Sequence, residues 1–370
     1  MIKKNAAAAL LGVAALGLAA CTTSSAASLG TAGKPVNLVI GYQPYYTQAG
    51  TAIVLRGTGL WKKYLPPGST VTFQPALQGS IEVAQMLAGK EQIGYMSDIP
   101  ALVGASKRSI RDLRIVASIA TSDDQCGVFL VRKNAPSFSS QAQAIKWMNG
   151  KTVATPFGSC SDLVAQAVFR HENVHPKNYL NQSLDLITSD FQRGSIDAAV
   201  IWEPVPSHLV NSGLARRVAT GNFLGVHTGA VILMSDQLIK QRPDIAKDWL
   251  KAELAAERYL ADPAHATAIA KMAVSQTIGY KTQDMRDALY RAWPVAAGGP
   301  PDGVKMQMPF TIGPASQRSL AAETAFLYRI KSLASPKLPP GAIDGSIAQA
   351  VLNAEHAHSP VGEIKAAGAG

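Results

Sequence analysis

The period of the apolar pattern switches repeatedly between two and about 3.6 along this chain, and that alternation limits the fold more than any other feature. Short β-rich runs at 36–42, 69–75, 93–96, 113–119 and 128–131 are separated by helical spacing at 51–64, 81–88 and 100–106. Strands that alternate with helices build βα units, because a parallel strand pair needs a crossover between its members. The pattern then restarts. Helices are predicted at 140–148, 162–170, 190–193 and 205–211, and strands at 151–155, 184–187, 198–202 and 231–234. Beyond Asp236 the chain turns helical at 243–260, 264–274 and 282–293. A Gly/Pro-rich loop is predicted at 295–314, then an amphipathic helix at 316–333. The segment 336–370 mixes Pro, Gly, Ala and His and is expected to fray. Two α/β blocks in succession, without close repeats, predict two lobes of mixed sheet flanked by helices, with the second inserted into the first. Lobe 1 is assigned to 36–121 plus 223–335 and lobe 2 to 122–222, with a ligand cleft between them.

The N-terminus bears on location. Lys3 and Lys4 precede an uncharged Ala/Leu/Gly/Val run at 6–18, followed by Leu18-Ala19-Ala20-Cys21. Charge, apolar core and small residues in that order are an export signal. The run is too short for a transmembrane helix, which needs about 20 apolar residues. A cysteine directly after the small residues resembles the lipobox of bacterial lipoproteins. That resemblance implies a signal peptide at 1–20, acylation of Cys21, and lipid anchoring in the periplasm or on the outer face of the cell membrane. Residues 21–35 are small and polar and read as a flexible tether.

Three cysteines become two if Cys21 is acylated. In an oxidising compartment Cys126 and Cys160 are expected to pair, the alternative being two buried thiols. Lys and Arg number 35 against 25 Asp and Glu, a formal net charge of +10. The basic residues are scattered and not interleaved with aromatics. They read as a solvated surface with some attraction for anions or anionic membrane, not a nucleic-acid interface.

His171-Glu172-Asn173-Val174-His175 spells H-E-x-x-H, the zincin pattern, whose zinc needs both imidazoles on one helical face. Pro176 disfavours helical geometry at His175, so a solvated helix end is the expected reading and no metal or other cofactor is assigned. No P-loop or G-x-S-x-G elbow occurs, and no His is placed to serve Cys160 as a base. What the chain does offer is a set of strand-to-helix junctions rich in small polar residues. Gly158-Ser159-Cys160-Ser161 opens one helix, with Ser159 and Ser161 as N-caps and ligand candidates. Tyr42 and Gln43, Ser97 and Asp98, and Asp123, Asp124 and Gln125 sit at others. Glu203 closes a strand, where it either reaches the cleft or caps the helix after Pro204. Open α/β sheets bind ligands at the carboxyl ends of their strands, where these junctions gather.

In this order, Ile40-Gly41-Tyr42, the stretch 92–100, Leu130-Val131-Arg132-Lys133, the stretch 150–154, the Gly158-Ser159 turn and the stretch 191–204 resemble the substrate-binding proteins of ABC importers. The resemblance is to the nitrate/sulfonate/taurine/thiamine-precursor group and covers about residues 37–290. It implies a periplasmic-binding-protein fold of the second type and closure of two lobes on a small ligand. It also implies a membrane permease and its ATPase as partners, a monomer, and no enzymatic activity. An enzyme on the same scaffold, like a pyrimidine-precursor synthase, is the alternative, with a zinc hydrolase at His171, Glu172 and His175 a remote one. The ligand range is sulfonate- or taurine-like, nitrate-like, or pyrimidine- or amine-like. Asp98, Asp123, Asp124, Asp162 and Glu203 would repel a simple anion if unpaired, which shifts the expectation toward a ligand bearing an amine, amidine or pyrimidine donor.

Overall fold

The computed structural model describes residues 29–367. The segment read as a signal peptide, Cys21 and the first part of the expected tether lie outside them. The strands are β1 (Asn37–Tyr42), β2 (Thr70–Pro75), β3 (Ile93–Ser97), β4 (Leu113–Ser122), β5 (Val128–Arg132), β6 (Thr152–Thr155), β7 (Asn178–Asn181), β8 (Ala198–Ile201), β9 (Ala215–Ala219), β10 (Thr228–Ser235), β11 (Val304–Met308) and β12 (Gly362–Lys365). They form a seven-stranded sheet, ordered β12-β11-β4-β10-β3-β1-β2, and a five-stranded sheet, ordered β7-β6-β8-β5-β9. Both are mixed: β1 runs parallel to β2 and β3, whereas β10 runs antiparallel to β3 and β4. The chain crosses from the large sheet to the small one between β4 and β5, and returns between β9 and β10. Each sheet with its helices is one lobe.

Local chemistry explains most boundaries. The first predicted helix, 51–64, stops early: helix Gly50–Thr58 ends at Gly59, which is left-handed at φ 68°, and a 3₁₀ turn, Leu60–Lys63, takes its place. Residues 184–187, predicted as a strand, are the first turn of helix Leu184–Arg193. Leu184, Ile187 and Phe191 are buried on one face at helical spacing, and Gly194 closes the helix in the left-handed region. The strand lies upstream as β7, where Asn178 and Asn181 mask the apolar signal of Tyr179 and Leu180.

The C-terminal region departs most from expectation. The loop predicted at 295–314 contains β11. The tail predicted to fray forms helix Ser346–Ala354, with Ala348, Val351 and Leu352 buried, and then edge strand β12. Only Ile364 of that strand is buried, so no apolar run announces it. Its antiparallel pairing with β11 supplies the backbone hydrogen bonds that hold it.

Lobe 1 is unusual in its buried carboxyl groups. Glu82 Oε1 accepts the Tyr95 N–H at 2.6 Å. Burial, and then Glu91, push the Glu82 pKa well up. Gly41 suits this point of β1, because a Cβ there would crowd the Glu91 carboxyl and fall 2.7 Å from Glu82 Cγ. Deeper in, the Tyr95 hydroxyl donates to Glu253 at 2.7 Å and accepts from the Trp249 indole at 2.8 Å. These contacts tie helix Pro243–Ala261 to the large sheet.

Candidate functional site

Three helices point their N-termini into the space between the lobes. Helix Gly79–Leu87 follows β2 and Asp98–Ser106 follows β3, both in lobe 1; Cys160–Glu172 follows β6 in lobe 2. Their opening residues, Gln78 to Ser80, Ser97, and Ser159 with Cys160, line a narrow cleft that opens to solvent. The first N–H groups of a helix lack intrahelical partners, and the helix dipole adds partial positive charge there. Ser159 accepts from Asp162 N at 3.3 Å and donates to Pro156 O at 2.6 Å, which fixes the turn at the lobe 2 wall. Gln43 and Tyr46 from lobe 1, and Phe157 and Trp202 from lobe 2, complete the wall. Tyr46 and Trp202 meet edge to face at 6.3 Å. The Trp202 indole N–H reaches across the lobes to Tyr45 O at 3.0 Å. No charged side chain lines this cleft among the described residues.

Of the residues singled out from sequence, Gln43, Ser97 and Ser159 therefore stand in one wall-to-wall constellation. The others turn elsewhere. Tyr42 is buried behind β1, hydrogen-bonded to Arg56 and edge-on to Phe73 at 5.8 Å. Asp98 faces away from the cleft: one oxygen accepts from Ser97 Oγ at 2.8 Å and Ile99 N at 2.9 Å, the other from Gly229 N at 2.6 Å. Its neighbour there is Glu323, and burial raises the pKa of both. Asp123 lies in the crossing beside His227, with its carboxyl raised by burial. Ser161 is buried against Cys126 Sγ at 3.3 Å. Asp162 accepts from Gly158 N at 3.0 Å and the Tyr179 hydroxyl at 2.8 Å.

Asp124, Gln125 and Glu203 belong to a buried ionic network at the crossings. Arg217 on β9 pairs with Glu203 at 2.8 Å and Asp124 at 3.3 Å, and Lys305 on β11 pairs with Asp124 at 3.0 Å. All four side chains are sealed from solvent, and the charges balance two against two. Glu203 also accepts from Ser207 N at 3.0 Å, which caps helix Val205–Asn211. Burial nonetheless raises the Glu203 carboxyl, with Arg217 opposing. Gln125 accepts from the Thr47 hydroxyl at 2.8 Å and donates to Asp124 at 2.9 Å. The carboxylates that argued for an amine-bearing ligand thus face partners of their own rather than the cleft.

Cys126 and Cys160 are bonded, with their Cα atoms 6.1 Å apart. The bond ties the first residue of helix Cys160–Glu172 to the crossing. The H-E-x-x-H stretch does not form one helical face. The helix ends at Glu172 and Asn173 is left-handed at φ 53°. His171 then meets Glu172 at 3.0 Å and His175 meets Asn173 at 3.0 Å. Gln78, Gly79 and Ser80 were not singled out from sequence, although they are one more small polar junction between strand and helix. Trp202 stood in the recognised stretch but carried no assignment.

Two lobes joined by two crossings around a cleft ringed by helix N-termini define a substrate-binding protein of the kind that serves ABC importers. The family model described as the NMT1-like family matches residues 31–274, and the chain belongs to that family. The taurine-binding periplasmic protein of Escherichia coli strain K12 is 26% identical over 235 residues, 62% of this chain and 68% of that protein. The alkanesulfonate-binding protein SsuA from Xanthomonas axonopodis pv. citri, solved with MOPS bound, superposes with a TM-score of 0.66 at 20% identity. It covers 84% of this chain and 98% of its own. The desulfurization enzyme DszB shares the fold at a TM-score of 0.59 and 14% identity, covering 87% of this chain and 100% of its own.

Proposed function

We propose that the protein is a lipid-anchored, monomeric receptor that captures a small organic anion of the sulfonate class by lobe closure and passes it to an ABC permease and its ATPase. The observation that carries this reading is the cleft itself: three helix N-termini and, among the described residues, no carboxylate. An anionic head meets N–H groups and serine hydroxyls there, while Tyr46, Trp202 and Phe157 offer aromatic surface to the body of the molecule. Taurine fits through its sulfonate, but its ammonium finds no carboxylate in the lining, so simple alkanesulfonates are favoured over it. Cys160, the thiol-type nucleophile candidate of the cleft, is held in a disulfide, which supports binding over turnover. The relatives' names support the same chemistry. Acylation of Cys21 would keep the receptor beside its permease.

A thermal-shift and calorimetry series tests this. Alkanesulfonates should raise the melting temperature with one-to-one stoichiometry and remain chemically unchanged; saturation at 100 times Kd stabilises by about 2.7 kcal/mol. Nitrate and taurine should bind more weakly, and amines and pyrimidines should leave the melting temperature unmoved. Binding of cationic ligands in preference to sulfonates, or release of a product, would overturn the proposal.

A further inference from the structure

A second, larger groove separates the lobes away from the ligand cleft. It runs between helix Cys160–Glu172 of lobe 2 and helix Pro314–Arg329 of lobe 1, with Gly225 to His227 of the return crossing on its floor. Its volume is about 590 Å³. Arg170 projects from the lobe 2 side, Arg318 and Arg329 from the lobe 1 side, and His227 from between. None of the three arginines has a carboxylate within ion-pair distance among the described residues, whereas Arg114, Arg217 and Arg242 each pair with at least one. Residues 1–28 and 368–370 contain no Asp or Glu, so no side chain outside the described residues supplies the missing partner.

The acids nearby do not neutralise the groove. Glu323, in its wall, is buried and faces Asp98; burial and that neighbour push its carboxyl well up, and it pairs with none of the three arginines among the described residues. Asp123 feels His227, Asp124 and Asp302, and it pairs with none of the three arginines among the described residues. Arg170 and Arg329 feel each other: after burial, the charge of Arg170 is what holds the Arg329 guanidinium below its ordinary range. Arg170 and Arg329 stand at helix C-termini, where a cation is favoured, but Arg318 lies beyond the first turn of its helix and gains nothing from the dipole. Helix geometry therefore does not explain the cluster. The groove is also much larger than a single small oxyanion needs.

We infer that this groove is a second anion site, for a molecule presenting two or more phosphate-type groups, and that its occupancy favours lobe closure. Guanidinium groups bind phosphate oxygens by paired, charge-assisted hydrogen bonds. Without an anion, Arg170 and Arg329 repel across the lobes and oppose closure. With one, both lobes hold the same ligand. The groove then couples to the cleft, and coupling between two binding sites is reciprocal. The phosphate groups come either from a free polyphosphate or from headgroups of an anionic bilayer.

The test uses inorganic tripolyphosphate and, separately, vesicles of phosphatidylglycerol or phosphatidylcholine, with a Cys21→Ser chain that carries no lipid. Tripolyphosphate should bind with strong salt dependence. Arg170→Glu or Arg329→Glu should weaken it about tenfold or more, since one charge-assisted bond is worth about 1.5–3 kcal/mol. Arg258→Glu makes the same charge change outside the groove and should not. Saturating tripolyphosphate should tighten alkanesulfonate binding several-fold. Arg170→Glu, which places a carboxylate opposite Arg329, should tighten it without any anion and abolish the effect of tripolyphosphate. Binding of phosphatidylglycerol vesicles, but not tripolyphosphate, with the same dependence on Arg170 would assign the groove to the membrane. Equal weakening by Arg258→Glu and Arg170→Glu, or no binding of either probe, would overturn the site. The direct binding arm is independent of the sulfonate reading, so failure of one is distinguishable from failure of the other.

Discussion

The crossings and the cleft are adjacent, and they handle charge in opposite ways. At the crossings four ionised side chains are buried, each facing an opposite charge: Lys305, Asp124, Arg217 and Glu203. In the cleft, no charged side chain among the described residues lines the wall, and backbone N–H groups at helix ends carry the polarity. Fixed side-chain charge here serves architecture. The ligand is met by dipoles, which need no counter-ion and suffer little desolvation when the lobes close.

The comparison breaks most visibly at Arg217. Arg217→Met leaves Glu203 and Asp124 short of their shared partner inside the protein, and loss of one member of a buried ion pair costs about 3–5 kcal/mol. Urea denaturation should show that loss, while sulfonate affinity measured on the folded fraction changes little. Asp124→Ala should behave the same way; a large affinity loss with intact stability would move Asp124 from the joint to the site. The disulfide is the next probe. Replacing Cys126 and Cys160 together with serine removes a closed loop of about 35 residues, worth about 4 kcal/mol on the chain-entropy account, and part of that shows as a lower melting temperature. A thiol titration on the denatured, unreduced protein should find neither cysteine free.

A pH series sharpens the contrast with the interior of lobe 1, where Glu82, Glu91, Glu253 and Glu257 have no ion-pair partner among the described residues. Burial raises Glu91 and Glu253 from 4.5 to about 7. The folded state thus holds protons that the unfolded state releases, so the contribution of these two groups to stability is full below about 4.5 and is lost as pH rises toward about 7. Glu91→Gln with Glu253→Gln should flatten that decline; an unchanged slope would mean these groups titrate normally. The smallest effect is expected at the cleft. Ser159→Ala removes an N-cap worth about 1 kcal/mol. Together with Ser97→Ala it should weaken alkanesulfonate binding about tenfold, at about 1.4 kcal/mol per decade.

Much of this was legible in the sequence. The alternating periods gave two α/β lobes, and small polar junctions gave Ser97 and Ser159 their positions beside helix ends. Pro176 correctly argued against an H-E-x-x-H helix continuing to His175. Elements whose partners are far away in sequence were hidden. Strand β12 has one buried residue and exists because β11 pairs with it. Residues 184–187 were mistaken for a strand because four apolar-rich residues carry too little period to separate the two structures, and Gly194 lay outside the window.

The sequence by itself determined the class of fold and most of the element types and helix starts, because these depend on local periodicity, capping and turn chemistry. Only the tertiary structure decided which charges face the ligand. Asp98, Asp124 and Glu203 stand at cleft junctions in the chain, yet their carboxyls turn to Gly229, Lys305 and Arg217, residues more than a dozen positions away. Where a carboxylate points is set by the partner that offsets its desolvation, and that partner is brought near only when the chain folds.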